Sequence, residues 1–449
     1  MKKNEFLLTI LLSLALLNPL SAETQTASST VETAEKHWTL EDCLKHGVAM
    51  HPQVKIAAST VASSKARLLQ ARAGHDPQVS LRASWQRSKS ELPSRPSSDN
   101  TSESLAVSKT LYDSGQRELS EKAARESVGA AEARYESTLT DVAASIKNAF
   151  FKAQQAQALL QVRLETLAGY EQHLEKVEGF VEVGSKPPFD ITRAQVDVAN
   201  ARVDLISARS QLKVALANLS RAIGLETSIS IAGFEHIDLP VIDLASKEQL
   251  LQEALERPEI RSADFQRKAA DYGVREAKKS LSPSFSASAD YRWSGNVSPQ
   301  DQQWGMGVSM SWPVFDGSLT RARIDSAKSQ LDSSAATLEN LRLTVAAELE
   351  NSLTGVTDAV ERYEATSYLV QQASESLHLA EARYYAGLSS PIEITDARVE
   401  YARARGSQVV SYFDGLIAWS ELDRVLGRLP AELRHLAIAD ESSDGSSEQ

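Results

Sequence analysis

Apolar and polar residues alternate with two different periods along this chain, and each period predicts a different kind of element. Apolar residues occupy every second position from Val79 to Trp85, from Phe285 to Trp293 and from Trp304 to Trp312. This alternation predicts β-strands with one apolar face and one small or polar face. The segment 105–111 shows the same pattern, although Lys109 interrupts its apolar face. The sequence therefore predicts two β-hairpins.

Two much longer segments, from Gln116 to Glu182 and from Ser318 to Tyr385, show a seven-residue period instead. The seam positions are Ile146, Ala153, Leu160, Leu167, Leu174 and Val181, and then Leu349, Val356, Tyr363, Val370, Leu377 and Tyr384. Such a repeat is typical of a coiled coil, so each segment is predicted to be one continuous helix. At 1.5 Å per residue, each helix would measure roughly 100 Å.

The chain contains two copies of one structural unit. Gly184 and Gly387 lie 203 positions apart, and so do Gly224 and Gly427. A repeat of this size indicates a duplicated domain rather than a short solenoid repeat. We expect a signal peptide at 1–22, a linker at 23–38, a first repeat at 39–224, a connecting segment at 225–245, a second repeat at 246–427 and a final segment with a disordered tail at 428–449.

Each repeat begins with a predicted helix. Thr39 with Asp42, and Ser246 with Gln249, have the spacing of a capping box. The helical pattern that follows continues to about residue 73 in the first repeat and to about residue 279 in the second. We therefore expect one capped helix before each β-hairpin.

The long helices end at two sharp turns, near 184–190 and 387–393, and a shorter helix runs back from each turn. In the second turn, Ser390, Pro391 and Glu393 have the spacing of an N-cap, a first-turn proline and a capping-box acid. The sequence therefore predicts two helical hairpins, each with its turn at the tip.

The N-terminal residues have the order of a secretory signal peptide, with Lys2 and Lys3 before an apolar run from Phe6 to Leu17 and small residues at Ser21 and Ala22. The later sequence has no uninterrupted apolar stretch of about eighteen residues, so membrane contact would have to use strands. A net charge of −12 argues against nucleic-acid binding, which needs a basic surface.

Residues that could support catalysis are not arranged in any familiar motif. The eight histidines form no HExxH pair, and a single cysteine, Cys43, cannot build a thiolate metal site. The sequence also lacks a glycine-rich phosphate loop and a nucleophile elbow. We therefore predict that the protein is not an enzyme and uses no metal or cofactor.

The predicted strands match tilted transmembrane strands, because the best of them carries tryptophan at both ends. A soluble sandwich of two hairpins would show the same alternation. Four strands cannot close a barrel, and an open sheet edge is not tolerated in lipid, so a membrane location requires several copies of the chain. The lipid-facing positions would then be Trp85, Tyr291, Trp293, Trp304, Met306, Val308, Met310 and Trp312.

The order of these features resembles the TolC family of outer-membrane efflux and secretion channels. The resemblance rests on the opening helix at Thr39–Val54, the tandem halves, the hairpin before each very long helix and the tip pattern Gly-x5-[Asp/Glu]-Ile-Thr. It implies a mostly α-helical fold with a small β-barrel portion, in which three chains form a twelve-stranded barrel in the outer membrane and an α-helical tunnel through the periplasm. The cell would be a Gram-negative bacterium.

The resemblance also implies partners and a function. A periplasmic adaptor and an inner-membrane transporter would deliver small molecules or, in type I secretion, unfolded protein to this exit duct. The tip turns that would dock on the adaptor consist of Gly184, Ser185, Gly387, Leu388 and Ser389. Two alternative functions are those of a periplasmic coiled-coil adaptor and of a scaffold protein without a pore.

Carried over by position, Asp190, Glu393 and Asp396 would line the periplasmic mouth, and Tyr384 would latch neighbouring helices. Asp190 and Glu393 also occupy first-turn positions, where the helix dipole favours any carboxylate. These acids could therefore form the gate, stabilise the helix ends, or do both.

Overall fold

The computed structural model describes residues 37–89, 98–227, 229–233, 247–295, 301–430 and 433. Its helices are α1 (Leu40–Met50), α2 (Pro52–Ala73), α3 (Gln116–Glu182), α4 (Phe189–Ala222), α5 (Lys247–Leu255), α6 (Pro258–Lys279), α7 (Leu319–Tyr385) and α8 (Pro391–Val425). Its strands are β1 (His37–Trp38), β2 (Gln78–Ser88), β3 (Ser98–Tyr112), β4 (Ser230–Ile231), β5 (Ser284–Gly295) and β6 (Asp301–Ser311). The predicted signal peptide, the disordered tail, most of the linker and connecting segments, and the predicted cap Ser246 lie outside the described residues.

The two long helices are formed as the seven-residue period predicts. α3 and α7 are each 67 residues long. α4 packs along α3, α8 packs along α7, and α8 also contacts α3. Each long helix thus forms a hairpin with its return helix, and the contact between α3 and α8 joins the two hairpins.

The opening helix of each repeat is interrupted, so the prediction of one continuous helix is wrong in both. α1 ends before His51, whose backbone is extended at φ −63° and ψ 129°, and α2 begins at Pro52. α5 and α6 are separated in the same way at Arg257, with φ −52° and ψ 146°. The cause is the proline that follows, because its ring disfavours the helical conformation in the preceding residue. The capping box of Thr39 and Asp42 is confirmed, with both hydrogen bonds present.

Strands β2, β3, β5 and β6 form one antiparallel sheet in that order. The register places the predicted apolar positions on one face. Two adjacent rows across this face are Val79, Val107, Ala289 and Met306, and Leu81, Leu105, Tyr291 and Trp304. Within the described part of the chain, β2 and β6 each pair on one side only. The sheet therefore has two open edges.

The apolar face of this sheet is exposed in the single chain. Met306 is 77% exposed and Trp304 is 73% exposed. Tyr291 and Trp293 are half-buried because their rings pack against each other, with centroids 4.6 Å apart. β6 ends at Ser311, one residue before the predicted Trp312, because the register would place Pro283, which has no N–H, opposite that residue. An apolar surface this continuous is typical of contact with lipid or with another chain.

The main buried core lies where the short helices meet the hairpins. One cluster joins α1, α3, α4 and α8 and includes Leu139, Ile146, Ile223 and Phe413. A second cluster joins α5, α6, α7 and α8 around Val345 and related residues. A short parallel pairing of β1 with β4 borders the first cluster. Toward the tips the clusters become small, so few apolar contacts hold the two hairpins together there.

Candidate functional site at the helical tips

Both hairpins turn at a glycine in the left-handed conformation. The φ angle is +72° at Gly184 and +74° at Gly387, a region that glycine enters without steric cost. The next amide in each turn, that of Ser185 or Leu388, donates to the carbonyl five residues earlier at 2.8 Å. This is the hydrogen-bond pattern of a Schellman C-cap. The two turns bring the start of each return helix beside the end of its long helix.

The second turn differs from its predicted form. Ser390 is the N-cap of α8 and Pro391 is its first residue, but the Ser390 side chain makes no capping hydrogen bond. The Glu393 carboxylate lies instead 3.8 Å from the guanidinium of Arg383. The predicted capping box is therefore wrong, because the acid faces a cation of the preceding helix rather than the N-cap amide.

Tyr384 and Asp190 meet in the interior between the two hairpins. The Tyr384 hydroxyl donates to the Asp190 carboxylate at 3.1 Å, which joins the end of α7 to the start of α4. Tyr384 is fully buried and Asp190 is 6% exposed. Burial and the neighbouring carboxylate raise the pKa of Tyr384, so its hydroxyl keeps the proton that it donates. A hydrogen bond to a charged acceptor is strong in such a site.

The Tyr384 ring lies in a small cluster of apolar and aromatic side chains. Val177, Tyr384 and Ile394 are each no more than 1% exposed. The His173 ring centroid lies 5.6 Å from that of Tyr384, and its Nδ1 lies 3.2 Å from the hydroxyl of Tyr385. The buried hydroxyl–carboxylate bond is thus surrounded by residues of α3, α7 and α8.

Two basic side chains, Lys186 and His173, lie next to the Tyr384 ring. The Lys186 ammonium lies 4.2 Å from the centroid of the Tyr384 ring and donates to the Tyr384 carbonyl at 3.4 Å. Burial, with the nearby positive charges of Arg398 and Lys176, lowers the pKa of His173 to about 4. His173 is therefore neutral at neutral pH.

The structure brings together two of the four residues predicted at the mouth. Tyr384 and Asp190 bond to each other, while Glu393 and Asp396 are exposed to solvent. The predicted docking turns are also exposed, except Ser389, which is half-buried. Sequence reasoning missed His173, although it continues the spacing of Tyr170 and Val177 on one buried face of α3. Its position three residues after Tyr170 and four before Val177 could have indicated that His173 is buried.

Among the residues that the structure describes, no group of three or more histidine, cysteine, aspartate or glutamate side chains could hold a metal ion. None of the helices in that part of the chain is long and apolar enough to cross a membrane.

Comparison with known proteins assigns the chain to a family. The family model for outer membrane efflux proteins matches residues 48–225 and 250–428, one match for each half of the chain. The chain belongs to the outer membrane efflux protein family. It is therefore an outer-membrane protein that serves efflux, which confirms the predicted location and class of function. Its family consists of channels, and this decides against the adaptor and the scaffold without a pore.

Similar proteins from Pseudomonas putida extend over most of the chain. It is 26% identical over 431 residues to the toluene efflux pump outer membrane protein TtgC, covering 90% of this chain and 88% of that protein. It is 24% identical over 385 residues to the solvent efflux pump outer membrane protein SrpC, covering 83% and 82%.

Solved structures show the same fold. The Campylobacter jejuni outer membrane channel CmeC superposes with a TM-score of 0.75 at 16% identity, over 90% of this chain and 89% of that one. The Vibrio cholerae outer membrane protein VceC gives a TM-score of 0.73 at 19% identity, over 87% and 96%. The predicted fold class, mostly helical with a small strand portion, is thereby confirmed.

Proposed function

We propose that three copies of this chain form the exit duct of a tripartite efflux system. Members of the family act as trimers together with a periplasmic adaptor and an inner-membrane pump. The sheet supports the same arrangement here, because its open edges at β2 and β6 need partner strands and its exposed apolar face suits lipid. Three such sheets would close a twelve-stranded barrel, with the tip turns facing the adaptor.

The cargo we propose is a set of small organic molecules rather than unfolded protein. The similar proteins of Pseudomonas putida are named for the efflux of toluene, of solvents and of antibiotics. Type I secretion is the second candidate, since the same class of duct serves it in the TolC family.

We further propose that the bond between Tyr384 and Asp190 holds the tips in a closed arrangement. This bond is the observation that carries the proposal, because it is buried and joins one hairpin to the other. Glu393 and Asp396 remain exposed beside it, so each of three chains would add two carboxylates to the mouth. A narrow ring of carboxylates attracts cations.

Single-channel recordings of the reconstituted protein in planar bilayers test both roles. Tyr384→Phe should leave a buried carboxylate without its hydroxyl donor, which costs about 1.5 to 3 kcal/mol for a charged group and so favours the open form roughly 10- to 150-fold per chain. Conductance should rise while ion selectivity is preserved. Tyr368→Phe, the same change at a side chain 65% exposed on the same helix, should behave like the parent protein.

The role of the carboxylates needs a separate double variant. Replacing Glu393 and Asp396 by alanine should weaken cation selectivity and block by multivalent cations without raising the conductance as Tyr384→Phe does. If the double variant kept the parent's cation preference, these acids would serve the helix ends and not the mouth. A stable, monodisperse monomer in detergent would contradict the trimeric duct itself.

A further inference from the structure

A second buried contact between the two hairpins lies about two helical turns above the tip, along α8. The Arg398 side chain is only 11% exposed. One of its guanidinium nitrogens donates to the main-chain carbonyl of Gly169 in α3 at 2.6 Å, and another donates to the Glu381 carboxylate in α7. The guanidinium carbon lies 5.9 Å from the centroid of the Tyr170 ring. One arginine thus connects the return helix α8 to both long helices.

The chemistry of this contact suits arginine in particular. A helical carbonyl has a second lone pair that can accept a side-chain donor, and the forked guanidinium can bond in two directions at once. Glu381 supplies the counter-charge that a buried cation requires. The Nε atom of Arg398 has no hydrogen-bond partner within the described residues. The other guanidinium nitrogens make the polar contacts, and these include a side-chain hydrogen bond to Tyr385 besides the two bonds named above.

The position of Arg398 relates it to the closed arrangement of the tips. Between it and the bond of Tyr384 with Asp190 lies one more polar link, in which the hydroxyl of Thr395 in α8 donates to Asp197 in α4 at 3.3 Å. These contacts follow one another along the same boundary between the hairpins. Few apolar residues are buried at that boundary, so polar contacts decide how closely the hairpins approach.

We propose that Arg398 is a positioning residue of the closed end: by holding α8 against α3 and α7, it keeps Tyr384 within hydrogen-bond distance of Asp190. The inference rests on the proposed closed arrangement of the tips. The corresponding residue of the first repeat, 203 positions earlier, is Gln195, so the first hairpin has no arginine at the matching position. In this role Arg398 acts through the tyrosine.

The full-length trimer in planar bilayers tests the inference with Arg398→Met, alone and combined with Tyr384→Phe. Arg398→Met should raise the conductance in the same direction as Tyr384→Phe. The double variant should exceed the stronger single variant by less than twofold, because both changes disable one bond. Cation selectivity should not change, since Glu393 and Asp396 are intact. The matched control is Arg403→Met on the same helix, where the side chain is 71% exposed and pairs with Glu400 one turn away.

Arg398→Lys keeps the positive charge that faces Glu381, so this variant should fold and assemble even if Arg398→Met does not. An ammonium lacks the planar fork, so this variant should conduct between the parent and Arg398→Met. Parent-like conductance in Arg398→Met, or in Arg398→Lys if the methionine variant does not assemble, would overturn the inference. So would fully multiplicative effects of Arg398→Met and Tyr384→Phe. If Tyr384→Phe itself leaves the conductance unchanged, the proposed closed arrangement of the tips is wrong. If Tyr384→Phe raises the conductance but the Arg398 variants do not, only the inference about Arg398 is wrong.

Discussion

The buried histidine beside the tyrosine should make the tips sensitive to acid. His173 is 5% exposed, and burial is the main cause that lowers its pKa from 6.5 to about 4. It faces Tyr384 and Tyr385 from α7 and the cation Arg398 from α8, with Lys176 on its own helix. No carboxylate in this set compensates a positive charge on the imidazole. Protonation should therefore work against the closed arrangement.

The difference in the pKa of His173 between the closed and open forms gives the sign and size of the pH effect on the closed form. An exposed histidine titrates near 6.5 and the buried one near 4, so the opened form binds the proton more tightly between these values. The contribution of His173 to the closed form is complete above pH 6.5 and is lost as the pH falls toward 4. At pH 5 the loss is about 2 kcal/mol per chain, or roughly 30-fold in the ratio of closed to open forms, and it reaches about 3 kcal/mol below pH 4.

Bilayer recordings between pH 7.5 and pH 4.5 measure this effect, with His173→Gln as the comparison. Glutamine does not titrate and still offers a polar partner to the Tyr385 hydroxyl. The parent protein should conduct more as the pH falls below about 6, whereas His173→Gln should show a flatter profile over the same range. Hydrogen exchange of residues 169–190 at each pH provides an independent measure, because an opened tip exposes those amides.

The protein carries other ionisable side chains, so only the difference between the two profiles is informative. His378, which lies on α7 outside the buried tip cluster, provides the control: His378→Gln should leave the parent profile unchanged. Identical profiles for the parent and His173→Gln would refute the argument, since the buried imidazole would then play no part in the acid response.

Three further predictions concern the strands, the core and one uncrowded helix position. Val308→Arg should cost about 2 to 4 kcal/mol of folding free energy in lipid if it lies near the midplane, and Ser309→Arg on the opposite face should cost much less; equal costs in vesicle unfolding experiments would contradict the lipid-facing assignment. Gly47→Ala should lower stability by roughly 1 to 3 kcal/mol, because the added Cβ would overlap the fully buried Ile146. Gly273→Ala, where nothing lies within 4 Å of the added Cβ, should raise the melting temperature measured by circular dichroism.

The regular elements could be predicted because their signals are repeated many times. The seven-residue period recurs from Ile146 to Val181 in α3 and from Leu349 to Tyr384 in α7, and glycines mark both tips. The strand register likewise follows from strict alternation. The interruptions at His51 and Arg257 needed a different kind of evidence, since the apolar pattern continues across both and only the following proline reveals them. The two-residue pairing of β1 with β4 is too short to leave any periodic signal.

The site was predictable residue by residue but not as a set of contacts. Tyr384 and Asp190 could be placed near the tips from the resemblance, yet they lie 194 positions apart. Their meeting depends on how one hairpin is rotated against the other. The same holds for Arg398 and Gly169, which are 229 positions apart. A helical period shows which face of a helix is buried, but it does not show which helix covers that face.

The two repeats have diverged at one of the two positions that form the buried tip contact. The bond joins Tyr384 of the second repeat to Asp190 of the first, and these two positions do not correspond to each other in the repeat. Tyr384 corresponds to Val181 in the first repeat, and Lys186 corresponds to Ser389 in the second. The acids at 190 and 393 were retained in both copies, yet only Asp190 meets a hydroxyl donor, while Glu393 stays at the surface near Arg383. Under the proposed function, divergence at the partner position would give Asp190 its place in the closed contact and leave Glu393 to contribute its charge to the mouth.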